Sequence, residues 1–214
     1  EAASTNLCIR SESFDNVAWA KASSTISEND TRGPDNSTSA DKLEAGSTAT
    51  ISPYVAQSIT TIATNSYTIS AYVKRSEASF IQIWLSTNQV ANNPRINFDL
   101  QSGVIGSQDA DIDSASIIPV GNDWFRISAT VVAVGVSLNF TYQTIKTASD
   151  TRQQTNAWTT GEGLYIWGAQ IEEQEAPTSY IRTEGATVSR LADLLSAPNA
   201  GNVPDGDITF HVDM

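Results

Sequence analysis

Several short segments of this chain alternate apolar residues with aromatic, amide and charged ones. Trp84, for example, lies between Ile83 and Leu85, so an extended strand turns it away from the side that carries those two residues. An aromatic ring packs against the apolar face of a sugar, and amide or guanidinium groups bond its hydroxyl groups. The outward positions therefore predict a sugar-binding surface. Its candidate ligand-binding residues are Tyr72, Gln82, Trp84, Arg95, Asn97, Asp99 and Gln143.

The same aromatic residues also allow a structural interpretation. Trp84 and Trp124 could lie beneath the long loops of residues 29–40 and 146–160, where they would form satellite hydrophobic clusters. The alternation does not reveal which strands share a sheet, so the outward residues need not form one surface. Both interpretations stay open at the level of sequence.

The chain contains few of the residue combinations that usually act in catalysis. The single histidine, His211, lies three residues before the last, so a Ser-His-Asp or Cys-His arrangement in the main β region is excluded. One histidine and one cysteine are too few for a zinc site, and no glycine-rich phosphate loop is found. A glycosidase-like carboxylate pair stays open, since Asp and Glu number 24, but no pair is distinguished by its spacing. We expect a protein that is not an enzyme.

The alternating acidic run from Asp109 to Asp113 could direct several oxygen atoms at a calcium ion. It lacks the glycine and the glutamate of an EF-hand loop. The run is therefore more typical of an exposed, solvated hairpin.

Short alternating segments between Gly, Asn, Asp and Pro residues predict an all-β fold, a two-sheet antiparallel β-sandwich of the jelly-roll type. In the last long strand, alternation predicts one face with Tyr165, Trp167, Ala169 and Ile171. The predicted strands are Leu7–Arg10, Trp19–Ile26, Lys42–Glu44, Thr48–Ser52, Val55–Ile59, Tyr67–Arg75, Ser79–Ser86, Arg95–Leu100, Trp124–Val132, Val136–Ile145 and Leu164–Ile171.

Charge and composition limit the partners. The net charge of −12 argues against nucleic acid and against an anionic membrane surface. No apolar run approaches the ~18 residues of a membrane span. The lone Cys8 alternates with Leu7 and Ile9, which predicts a small buried apolar residue.

Short sequence motifs along most of the chain resemble those of a jelly-roll module of bacteriophage tail and other virion proteins. That module is itself similar to carbohydrate-binding modules of the galactose-binding-like class. The match runs from about Asn6 to Asp193. The motifs are Asn6-Leu7, Ser11–Phe14, Trp19–Lys21, Ala40–Leu43, Tyr72–Lys74, Asp123–Arg126, Leu164–Glu172, Pro177–Ile181 and Arg190–Asp193.

The resemblance implies a non-catalytic module that binds polysaccharide or a cell-surface glycan, in a virion tail or fibre. It also allows a homo-oligomer through the parent protein. Two alternatives stay open: a structural or oligomerisation module of a fibre, or an accessory module of a secreted polysaccharide-degrading enzyme. Similar jelly rolls often hold a structural Ca²⁺, and by position its metal ligands here would be Ser11, Glu12, Asp41 and Gln170. Glu12 and Asp41 could instead bond nearby loop amides.

The amino-acid composition of the chain changes near its end. Residues 1–190 are predicted to form the jelly-roll module, and the Pro-, Gly- and Asn-rich residues 191–206 a linker. Residues 207–214 alternate again, so we expect either the first strand of a following domain or a strand that docks back on the module.

Overall fold

The computed structural model describes residues 1–46, 51–86, 93–152 and 154–193 of the 214. Within these ranges the chain contains strands and no helix, and therefore nothing helical that could cross a membrane. Most of the predicted strand Thr48–Ser52, most of the predicted linker and all of residues 207–214 lie outside the described residues. The strands are β1 Ser4–Asn6, β2 Ala20–Ala22, β3 Ser24–Arg32, β4 Thr38–Ala45, β5 Tyr54–Thr60, β6 Ser66–Arg75, β7 Phe80–Ser86, β8 Arg95–Asp99, β9 Val104–Gln108, β10 Ser114–Gly121, β11 Trp124–Val132, β12 Ser137–Ile145, β13 Gly163–Glu172 and β14 Val188–Arg190.

Two six-stranded antiparallel sheets pack face to face, which confirms the predicted β-sandwich. Sheet I has the order β10-β11-β6-β13-β4-β3, and sheet II has the order β2-β5-β12-β7-β8-β9. The short strands β1 and β14 pair separately, and Leu7 after β1 donates its amide hydrogen to the Ile171 carbonyl at 2.8 Å.

The core lies between the two inner faces, because every second residue of the central strands is apolar. Residues at these positions have almost no solvent exposure, and Cys8 belongs to the same cluster, as predicted. Burial raises the pKa of the Cys8 thiol well above its ordinary value. In the neighbouring strands β6 and β11 of sheet I, the inner residues are Tyr67, Ile69, Ala71, Val73, Ile127, Ala129 and Val131.

The single face predicted for β13 is wrong, because a β-bulge reverses the alternation. Trp167 lies opposite Tyr72, yet Gln170 lies opposite Ser70, so β13 contains one residue more than β6 between these pairs. Gly168 at the bulge has φ +61°, which glycine adopts without strain. As a result, Tyr165 and Trp167 pack on the outer face of sheet I. The residues that pack in the core are Leu164, Ile166, Ala169 and Ile171.

Candidate functional site

The outer face of sheet II is divided by the loop that follows β12, residues 146–152. Three of the predicted ligand-binding residues, Gln82, Asn97 and Gln143, lie on this face and are fully buried. Gln82 stands opposite both Asn97 and Gln143, so the three amides form a row across β8, β7 and β12.

This amide row bonds main-chain carbonyl groups. The Asn97 Nδ2 donates to the Ala148 oxygen at 3.1 Å and to the Asp150 oxygen at 2.9 Å. The Gln82 Nε2 donates to the Asn97 Oδ1 at 2.8 Å, and the Gln143 Nε2 donates to the Ser52 oxygen at 3.0 Å. The row therefore holds the loop and the segment before β5 against the sheet.

Two further predicted residues support turns at the edge of sheet II. The Arg95 Nη1 donates to the Ser107 Oγ at 3.0 Å, and the Arg95 amide donates to the Asp109 carboxylate at 3.0 Å. The Asp99 Oδ1 accepts the amide hydrogens of Gln101 and Ser102 at 2.8 and 3.1 Å. Asp109 of the acidic run thus anchors β8.

The other half of this face is open and forms a groove of about 340 Å³. Tyr54 and Trp84 meet at one wall, with ring centroids 5.8 Å apart in an edge-on arrangement. Asn139 donates to the Ser58 Oγ at 3.0 Å across β12 and β5. The groove is lined by Ala20, Tyr54, Ala56, Ser58, Trp84, Ser137 and Asn139.

Trp84 contributes an edge to the groove but is only 4% exposed. The Arg152 guanidinium carbon lies 4.6 Å from the centroid of its ring. The loop therefore covers this residue, in agreement with the structural interpretation of the sequence. The Trp84 Nε1 is buried within the described chain without a hydrogen-bond acceptor, which leaves one polar group at the wall unsatisfied.

Tyr72 is the one predicted ligand-binding residue on the other sheet. It lies on the outer face of sheet I, where its ring packs edge-on against Trp167 at 5.4 Å and Tyr180 at 6.1 Å. The hairpin between β3 and β4 covers the tryptophans of this face: the Trp124 Nε1 donates to the Arg32 oxygen at 3.1 Å. The predicted set is therefore split between opposite faces of the sandwich.

Tyr54 and Ser58 line the groove but were not among the predicted ligand-binding residues. A signal for them exists, since Tyr54, Ala56 and Ser58 alternate with the core residues Val55 and Ile59. Alternation does not reveal which strands are neighbours: β5 pairs with β12, a strand that comes much later in the chain.

The four predicted metal ligands each have protein partners. The two carboxylate oxygens of Asp41 accept the amide hydrogens of Phe14 and Asn29, both at 2.9 Å. Glu12 accepts a hydrogen bond from the Tyr180 hydroxyl at 2.9 Å and pairs with Arg182.

Ser11 and Gln170 are bonded in the same way. The Ser11 Oγ donates to the Thr183 oxygen at 3.2 Å, and the Gln170 Oε1 accepts the Ile181 amide hydrogen at 2.7 Å. Calcium needs six to eight oxygen ligands, and within the described ranges no three His, Cys, Asp or Glu residues converge on one point. Calcium stays a prediction from the resemblance.

Asp41 is nevertheless chemically unusual. It lies within β4 and is almost fully buried. This burial raises the pKa of its carboxyl group to about 6, although the amide hydrogens of Asn29 and Phe14 act in the opposite direction.

No family model matches the chain, and no curated protein matches it. Among solved structures, it is similar to the enzymatically active domain of tailspike protein 4 of bacteriophage CBA120, at 12% identity and a TM-score of 0.45, over 78% of this chain and 21% of that one. It is also similar to a structure containing the CBM22-1 and GH10 modules of a Clostridium thermocellum endo-1,4-beta-D-xylanase, in complex with xylohexaose. There the identity is 11% and the TM-score 0.42, over 85% of this chain and 30% of that one. The chain thus spans less than a third of either protein.

Proposed function

We propose that this β-sandwich is a non-catalytic glycan-binding module and that the groove on sheet II receives the sugar. The observation that carries the proposal is the groove of about 340 Å³, in which the Tyr54 and Trp84 rings stand beside the Asn139 amide and the Ser58 hydroxyl. Small-molecule sites span about 300–1,000 Å³. The volume of the groove lies at the lower end of that range, which suits one sugar unit or a short oligosaccharide.

The lining supports an uncharged sugar. None of the groove residues carries a carboxylate, an amine or a guanidinium group. Tyr54 is half-buried at the wall and offers both an apolar ring and a phenol hydroxyl group.

For the biological setting, we propose a tail or fibre protein of a bacteriophage virion, with a secreted polysaccharide-degrading enzyme as the alternative parent. This proposal is supported by the set of sequence motifs that resemble those of the virion jelly-roll module. Reading the parent gene beyond this chain tests the setting, since the attached domains differ between a fibre and a hydrolase.

One observation favours a purely structural module as the second candidate. Trp84, the large aromatic residue of the outer face, is covered by Arg152 and Tyr54 and offers little free ring surface. A spacer or oligomerisation module needs no exposed aromatic residue. The two candidates make different predictions for Tyr54, because a spacer module gains nothing from a free tyrosine ring at this wall.

Binding to a panel of neutral oligosaccharides, measured by glycan array and calorimetry, tests the proposal. Tyr54→Ala should weaken binding by ~1–3 kcal/mol, as expected for the loss of an anchor residue. Tyr165→Ala is the matched control, since Tyr165 is a half-buried strand tyrosine on the opposite face. An array without hits, or equal losses in both variants, would leave the structural module as the better account.

A further inference from the structure

A second surface with distinct chemistry lies on the outer face of sheet I. In the pairing of β11 with β6, Trp124 stands opposite Lys74, and Arg126 stands opposite Tyr72. The four side chains thus form a two-by-two block on one face, which we call the cationic patch. Diagonal neighbours in such a block are ~7–8 Å apart, so Lys74 and Arg126 can reach one ligand together.

The two cations of the cationic patch are not neutralised by the protein. Within the described ranges neither Lys74 nor Arg126 forms an ion pair. Lys42 lies on the same sheet face and differs, since it pairs with Glu77 at 3.0 Å and with Glu44 at 3.6 Å. Two unpaired cations side by side are unexpected in a chain with a net charge of −12.

Arg126 is held in place but only partly satisfied. Its Nη2 donates to the Ser70 Oγ at 3.2 Å, and its guanidinium carbon lies 5.4 Å from the Tyr72 ring centroid. Its Nε has no acceptor in the described chain but is shielded from solvent, and Nη1 donates no hydrogen bond there, so the donors left for a ligand are on Nη1 and Nη2. A guanidinium group of fixed orientation with free donors favours a planar, bidentate acceptor such as a carboxylate.

The aromatic residues around the patch keep it rigid. Tyr72 is half-buried and packs against Trp167 and Tyr180, whose own ring centroids are 4.5 Å apart. Gly168 makes this packing possible, because a Cβ at that position would lie 3.0 Å from the Tyr72 ring. The partly exposed tyrosine rings supply apolar surface next to the two charges.

We propose that the cationic patch binds the carboxylate of an acidic sugar, a uronic acid unit of a polysaccharide. The carboxylate accepts hydrogen bonds from Arg126 and the ammonium group of Lys74, and the sugar ring contacts the half-buried tyrosines beside them. This site lies on the opposite sheet from the neutral groove and uses none of its residues. This proposal can therefore be tested independently of the proposed function.

Calorimetry with oligogalacturonate at constant ionic strength tests the site. Arg126→Gln and Lys74→Gln should each weaken binding by about tenfold or more, the order expected when a charge-assisted hydrogen bond is lost. Lys42→Gln removes one positive charge from the same face and should leave binding unchanged, because that charge is already paired. Tyr54→Ala, on the other sheet, should also have no effect.

Further variants and ligands separate specific recognition of a carboxylate from nonspecific electrostatic attraction of any polyanion. Arg126→Lys keeps the charge but loses the planar fork, and it should bind almost as weakly as Arg126→Gln. Circular dichroism and melting of each variant confirm that it is folded. The proposal is overturned if wild-type protein does not bind oligogalacturonate, if dextran sulfate or polyglutamate binds equally well, or if Lys42→Gln weakens binding as much as Arg126→Gln.

Discussion

Trp84 is shielded from water by two neighbours rather than by the main core. Tyr54 meets its ring edge-on, and Arg152 lies over it at 4.6 Å. Because a buried aromatic side chain contributes through its packing, we expect Trp84→Ala to lower the free energy of unfolding by ~3–5 kcal/mol. Chemical denaturation measures this loss, and Trp84→Phe is the control that keeps most of the apolar volume. A loss below ~1 kcal/mol for Trp84→Ala would show that the ring is not packed as described.

The β13 bulge is the element that places the aromatic residues of sheet I. Gly168→Ala puts a Cβ 3.0 Å from Tyr72 and 3.3 Å from Tyr180, at φ +61°. We expect a loss of ~1–3 kcal/mol in the free energy of unfolding, since backbone strain and ring displacement add.

Gly161→Ala is the matched control for this change. Gly161 has φ +84°, but its Cβ would find its nearest neighbour, Glu44, only at 3.9 Å. It should therefore show the backbone strain alone. If denaturation gives equal losses for Gly161→Ala and Gly168→Ala, contact with the tyrosine rings is not what requires glycine in the bulge.

The stability of the whole molecule should depend on pH through Asp41. Burial raises the pKa of this carboxyl group in the folded state to about 6, above its ordinary value of 3.8. The folded state thus favours the protonated form. The corresponding stabilisation is fully present below pH ~4 and is lost as the pH rises through about 6. Its size is ~2–3 kcal/mol, as expected for a shift of about two pKa units.

Urea denaturation between pH 4 and 7.5 measures this dependence. Asp41→Asn cannot titrate, so its free energy of unfolding should change less over this window than that of the wild type. The substitution should also lower stability at pH 4, since an amide nitrogen cannot accept one of the two hydrogen bonds from Phe14 and Asn29. Parallel pH profiles of the two proteins would assign the titration to other groups.

The sequence by itself determined the class of fold and most of the strands. Alternation with a period of two identifies which residues are buried, because successive side chains of a strand point to opposite faces. It therefore predicted that Ile83 and Leu85 share the inner face of β7 and that Cys8 is buried, and the structure confirms both.

Only the tertiary structure decided which outward residues lie together. Alternation reports a side of a strand but not its neighbours, so Tyr72 and Trp84 were placed on one surface, whereas they lie on different sheets. It also cannot show what covers an outward residue: Gln82 and Asn97 bond the loop that follows β12, and Gln143 bonds the segment before β5. A single extra residue at Gly168 reverses every later position of β13. Strand pairing, loop cover and bulges arise from contacts between segments distant in sequence, and a local pattern does not encode them.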